Sequence, residues 1–145
     1  MTSRFRFLDD VALADSAFEA SGDSPSELFQ AAARAVIETM VNPLTVTPAW
    51  RRAIERQAPD PASLLFDWLS DLVYLKDAEG IAFHDVDVAV VQGPGGDWRL
   101  RGTVTGEPID QGRHELRADV KAVTKHLYEV RQEGTRWTAR VVLDI

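Results

Sequence analysis

The chain has 145 residues, 45% of them hydrophobic and 27% charged, and a formal net charge of −7. That length suits one domain with a single sizeable core, and the composition is neither disordered nor fibrous. An acidic balance argues against a broad phosphate-binding surface, and the absence of cysteine removes disulfides, thiolate catalysis and zinc–sulfur sites together.

No run of about 18 apolar residues occurs, and no basic segment precedes an apolar one at the start, so neither a membrane span nor a signal peptide is expected. The expected location is cytoplasmic.

In chain order, Arg4 to Leu8 and Ser16 to Ser21 alternate apolar and polar residues as strands do, with acidic Asp9, Asp10 and Asp15 in the connection between them. Ser24-Pro25-Ser26-Glu27 is a capping box with proline at the first helical position. Leu28, Phe29, Ala32, Ala33, Val36, Ile37 and Met40 then recur at helical spacing, predicting a helix from Pro25 to Met40. Asn42-Pro43 stops it.

Trp50 to Ala58 reads as a strand, and Pro59-Asp60-Pro61 supplies a breaker, an N-cap and an N1 proline for a second helix. Its apolar stripe is Leu64, Leu65, Trp68, Leu69, Leu72, Val73 and Leu75, with Asp67, Asp71, Lys76 and Asp77 outside it. Beyond Gly80 the period changes to two. Phe83 to Val91 and Trp98 to Thr105 flank Gly93-Pro94-Gly95-Gly96-Asp97, a hairpin turn with no Gly-Lys-Ser/Thr ending to cradle phosphate. Val120 to Arg131 and Arg136 to Asp144 complete the strands, joined at Glu133-Gly134. These elements predict an α+β fold: one compact domain from residue 1 to 145, with two amphipathic helices packed on a mostly antiparallel sheet of about six to seven strands.

Alternation assigns polar residues to faces. In the last strand Trp137, Ala139, Val141, Leu143 and Ile145 share one side, leaving Thr138, Arg140, Val142 and Asp144 on the other. Asp15, Ala17 and Glu19 likewise share the more polar face of the second strand. If those strands are neighbours, Asp15, Asp144 and the Ile145 carboxylate converge at one edge, an all-oxygen set suited to Ca²⁺, Mg²⁺ or Mn²⁺. The bland readings are a turn or capping role for Asp15 and a solvated strand end for Asp144. His126, in phase with Val120, Ala122, Thr124, Tyr128 and Val130, reads equally as a hydrogen-bonded core histidine or a functional one. Lys121 is a partner contact or a solvated charge. Arg113-His114-Glu115 reads as a loop closed by its own ion pairs, and Trp98 and Trp137 as core residues rather than base-stacking platforms.

In order and spacing, these fragments resemble the archease family. The resemblance runs from Ala14-Asp15 and Gly22 through Leu28-Phe29, Ala32 and Asp67-Trp68-Leu69, then Gly106-Glu107, Arg113-His114, Lys121-Ala122-Val123-Thr124 and His126, to Leu143-Asp144-Ile145. It implies a compact α+β accessory protein, not itself an enzyme, that promotes guanylylation and turnover of an RtcB-type RNA ligase in tRNA splicing or RNA repair. The ligase would use GTP and divalent metal, and RNA would be met only through it. Asp15 matches the aspartate of the family's N-terminal His-Thr-Ala-Asp-like motif, and Asp144 with Ile145 its metal-binding end. Ala12 and Leu13 replace the motif's histidine and threonine, or Asp10 takes the histidine's place after a local insertion. Asp10, Lys121, Thr124, His126 and His114 are then candidates for supporting the metal ligands or contacting the partner. Two other functions remain open: a chaperone or specificity modulator of a tRNA methyltransferase, and a small metal-dependent phosphoesterase. No serine-hydrolase elbow, zinc-protease helix or nucleotide fingerprint favours a conventional enzyme.

Overall fold

The computed structural model describes residues 3–8 and 15–145. Asp9, Asp10, Ala12, Leu13 and Ala14, which carry the acidic connection and the altered motif, lie outside the described residues.

The elements run β1 (Arg4–Leu8), β2 (Asp15–Gly22), α1 (Pro25–Met40), β3 (Trp50–Ala58), α2 (Pro61–Glu79), β4 (Ile81–Gln92), β5 (Trp98–Pro108), β6 (Ala122–Glu133) and β7 (Arg136–Asp144). Both helices start as their caps dictate. Ser24 Oγ accepts the Glu27 N–H at 3.1 Å while a Glu27 carboxylate oxygen accepts the Asp23 N–H at 3.1 Å, so two orphan donors are satisfied reciprocally. Asp60 accepts the Ser63 N–H at 2.7 Å, and α2 ends at Gly80, whose φ of 63° is left-handed.

The strands are all antiparallel, but they form two sheets rather than one. One has the order β1-β2-β7-β6 and the other β3-β5-β4. Helix α1 lies across β2 and β4 and so bridges the sheets, while α2 packs on β6 and β3. All seven apolar residues predicted for each helix stripe are buried. Trp68 is fully buried, and its indole N–H donates to Phe29 O at 3.2 Å, tying α2 to α1. Gly102 of β5 lies beneath that ring: a Cβ there would sit 2.8 Å from Trp68 Cη2 and Cζ3. Trp98 and Trp137 meet edge-to-face at 5.9 Å, and Trp137 belongs to the core.

The outer edge of β4 would be open were it not for α1. Ser26 Oγ accepts the Val90 N–H at 2.8 Å, the Gln30 amide donates to Val86 O, and Arg34 forks onto Asp85 at 3.0 and 3.1 Å. Ser26, Gln30 and Arg34 are four residues apart, so one helix face serves the β4 edge from Asp85 to Val90.

Strand β6 departs from the simple alternation expected for it. Thr124 pairs with Val142 and the next register pair is Glu129 with Arg140, so the four residues between them oppose only Val141. The bulge contains Leu127 at φ 55° and reverses the side-chain phase. Ala122 is exposed before it, whereas Tyr128 and Val130 pack against the core after it. His126 therefore leaves the phase of Tyr128 and Val130 and is exposed, which corrects the core-histidine reading.

Candidate functional site

Strands β2 and β7 are neighbours, and their register places Asp15 directly opposite Asp144. The residues between fix the facing: Phe18, Ala20, Ala139, Val141 and Leu143 point into the core, so the alternate set points outward. Opposed residues of an antiparallel pair have Cα atoms about 4.5–5.5 Å apart, so two carboxylates project side by side from the end of the sheet. Each is half-buried, and among the described residues neither carboxylate has a hydrogen bond or ion pair. Like charges placed directly opposite destabilise a strand pair. A cation held between them would remove that cost.

The adjacent strand completes the surroundings. The Lys121 N–H donates to Asp144 O at 2.7 Å and Ala122 stands opposite Asp144, which brings the exposed Lys121 beside the carboxylate pair. The Thr124 hydroxyl donates to Val142 O at 3.0 Å, so it supports the strand end through the backbone. The exposed Ile145 follows Asp144. Among the described residues no three His, Cys, Asp or Glu side chains converge as a metal-binding group. The donor set brought together by the register is thus two aspartates. All donors are hard oxygens, a chemistry that fits Ca²⁺, Mg²⁺ or Mn²⁺ and not a thiolate-seeking metal.

His114 has a different environment. Its ring is buried; Nδ1 accepts the Asp110 N–H at 3.0 Å and Nε2 faces a Glu107 carboxylate oxygen at 2.9 Å. The same buried carboxylate accepts from both terminal guanidinium nitrogens of Arg113 at 2.7 Å and from the Thr47 N–H at 2.7 Å. These hydrogen bonds, Arg113 first and His114 next, hold the Glu107 carboxyl far below the usual carboxylate range. The loop-closing role expected of Arg113 and His114 is met, but through Glu107 rather than Glu115, which turns to Asn42 and Arg117. The family resemblance took in Gly106-Glu107 without giving Glu107 a partner. Its burial depends on the loop around Thr47, sixty residues away in the chain.

The sequence profile described as "Archease protein family (MTH1598/TM1083)" matches residues 5–145. The chain belongs to the archease family. It is 40% identical to the archease of Methanothermobacter thermautotrophicus, covering 97% of this chain and 98% of that protein. With the archease of Methanopyrus kandleri it shares 36% identity, covering 91% of this chain and 94% of the relative. The solution structure of Methanobacterium thermoautotrophicum protein 1598 superposes with a TM-score of 0.84 at 39% identity, over 97% of this chain and 98% of that one. A Thermotoga maritima archease crystal structure, described there as a possible chaperone, shares the fold at a TM-score of 0.59 and 21% identity, over 92% and 93% of the two chains. Among the described residues, no helix of this archease is long and apolar enough to cross a membrane.

Proposed function

We propose that this archease is an accessory activator of an RtcB-type RNA ligase, promoting its guanylylation and repeated turnover while carrying no guanylyl group itself. The observation that supports this most is the placement of Asp15 opposite Asp144 in an archease: two carboxylates with no hydrogen bond or ion pair among the described residues, on an outward face, at the end of a strand pair. Such an arrangement suits a cation shared with, or presented to, another protein's site. A bound divalent ion would supply charge neutralisation and an ordered set of oxygen ligands there.

In this reading Asp15, Asp144 and the Ile145 carboxylate hold the metal, and GTP is used by the ligase. Lys121 lies close enough in register to balance the carboxylates or meet the partner. His126, exposed on the bulge, would contact the partner, and Thr124 ties β6 to β7 beside Asp144 through its bond to Val142. The buried His114 supports its loop through Glu107 and Asp110.

The test is single- and multiple-turnover ligation by the matching ligase with GTP and Mn²⁺, comparing wild type, Asp15→Ala and Asp144→Ala at equal folded concentration. Stimulation by wild type and its loss in both variants is the expected result. Absence of stimulation by wild type, or full stimulation by both variants, overturns the proposal.

A further inference from the structure

The outward face that carries Asp15 and Asp144 at one end carries arginines at the other. Reading across β1, β2, β7 and β6, Arg4, Ser21, Thr138 and Arg131 form one row of register partners, and Arg6, Glu19, Arg140 and Glu129 the next. The third row is Leu8, Ala17, Val142 and Thr124, of which Ala17 and Val142 are buried; the carboxylate pair stands in the fourth. Arg136 adds a further cation beyond the first row. Arginines thus concentrate at the end of the face away from the aspartates, interleaved with Glu19, Glu129 and Glu133, on a chain whose net charge is −7.

The arginine end has open valence. Arg4 has no hydrogen bond or ion pair among the described residues, and Arg136 has no carboxylate partner there, reaching only Ser21 Oγ at 3.3 Å. Arg6 is 70% exposed and only loosely engaged by Glu19 at 3.4 Å. Arg4, Arg6 and Arg136, with Ser21 and Glu19, line a depression of about 190 Å³. The opposing charges are Glu19, Glu129, Glu133 and Asp23. Glu129 is engaged by Arg131 at 3.5 Å and more distantly by Arg140 at 3.9 Å, and Arg140 Nε donates to Leu127 O at 2.9 Å. Among the described residues Arg4 has no partner, Arg136 reaches Ser21 with Glu133 opposite it in register, and the highly exposed Arg6 is held by Glu19 alone, so a ligand at this end would meet these three arginines and would compete with Glu19 for Arg6.

We infer that this arginine end binds the phosphodiester backbone of single-stranded RNA. Planar guanidinium forks match phosphate oxygens in pairs, and Arg4 and Arg6, two residues apart on β1, repeat at about 6.8 Å, a spacing suited to successive anionic groups, with Arg136 facing them across the shared depression. The acidic remainder of the chain limits the footprint to a few phosphates. The choice of RNA as the polyanion rests on the ligase reading above. It adds a direct RNA contact where the net charge had suggested contact only through the ligase, because net charge is a sum and a patch is local.

The test uses the full chain with a chelator present and a short fluorescein-labelled single-stranded RNA, followed by anisotropy over a salt series. Three phosphate contacts predict a slope of log affinity against log salt of about −2, and weak binding in the 10⁻⁴–10⁻⁶ M range, roughly, at physiological salt. The Arg4→Gln/Arg136→Gln double variant should bind at least about fivefold more weakly and flatten the slope toward about −0.7. Arg52→Gln, a surface arginine on β3 paired with Glu79, should bind as wild type does. The inference is overturned by no RNA-dependent signal at low salt, by a double variant that titrates like wild type, or by full displacement with inorganic phosphate at matched phosphate concentration. Ligase stimulation is measured separately. Wild type that binds RNA through these arginines without stimulating the ligase refutes the activator reading and supports the patch. Stimulation without RNA binding refutes the patch alone, and loss of ligase binding in the double variant would then assign these arginines to protein contact.

Discussion

Trp68 and Gly102 form a pair whose coupling can be worked out in advance. Trp68 is fully buried between α1 and the β3-β5-β4 sheet, so Trp68→Ala removes the largest fully buried side chain in the core. Truncations of this kind cost about 3–5 kcal/mol, a large share of the roughly 5–15 kcal/mol that holds a domain folded. With a urea dependence of about 2 kcal/mol/M, the unfolding midpoint should fall by about 2 M. Gly102→Ala places a methyl 2.8 Å from two ring carbons of an indole that is also pinned by its hydrogen bond to Phe29, so the ring cannot yield cheaply. Overpacking there should cost about 1–3 kcal/mol in the wild-type background. In the Trp68→Ala background the clash is gone, a cavity is available, and alanine is favoured over glycine in a strand by about 0.5–1 kcal/mol. The second substitution should then be neutral or stabilising, giving a coupling of about 1–4 kcal/mol in a double-mutant cycle read by urea unfolding. Additivity within about 0.5 kcal/mol would refute this packing.

The other predictions concern the site and its supports. Mn²⁺ or Ca²⁺ should raise the melting temperature of wild type but not of Asp144→Asn or a chain extended beyond Ile145; calorimetry showing unchanged affinity in both would remove the proposed ligand set. Asp15→Asn in the absence of metal should melt at or above the wild-type temperature, since it relieves the repulsion between directly opposed like charges; a clear drop would mean Asp15 has a structural role. Glu107 has its carboxyl pKa lowered on folding, so its contribution is fully present above the ordinary carboxylate range near about 4.3 and fades as pH falls below it. Glu107→Gln should be destabilised at neutral pH, with the gap narrowing in acid. An equal gap at every pH would contradict that ionised state. Gly106→Ala would drive its Cβ against the Ala82 carbonyl on the neighbouring strand, so a loss of soluble folded protein is expected, measured beside Gly112→Ala as an open-loop control.

Much of this architecture follows from local chemistry. The Ser24 and Asp60 caps, the two apolar stripes and the Gly93–Asp97 turn depend on contacts within a few residues, so periodicity and cap composition specify them without knowledge of the fold. The outward facing of Asp15 and Asp144 is also a period-two property of each strand taken alone. That they stand opposite each other is different: it depends on β2 and β7, the second and last strands of the chain, becoming neighbours with one particular register. Spacing within either strand carries no information about that pairing. The division into two sheets likewise depends on α1 filling the β4 edge with Ser26, Gln30 and Arg34, residues that in sequence read only as the polar side of a helix. His126 shows the limit of alternation, because a bulge of three extra residues is invisible to a pattern that counts in twos. Glu107 and the arginines of β1 and β7 show the same limit for charge. Burial of one and clustering of the others arise between segments far apart in sequence, where only the folded chain sets which charges are neighbours.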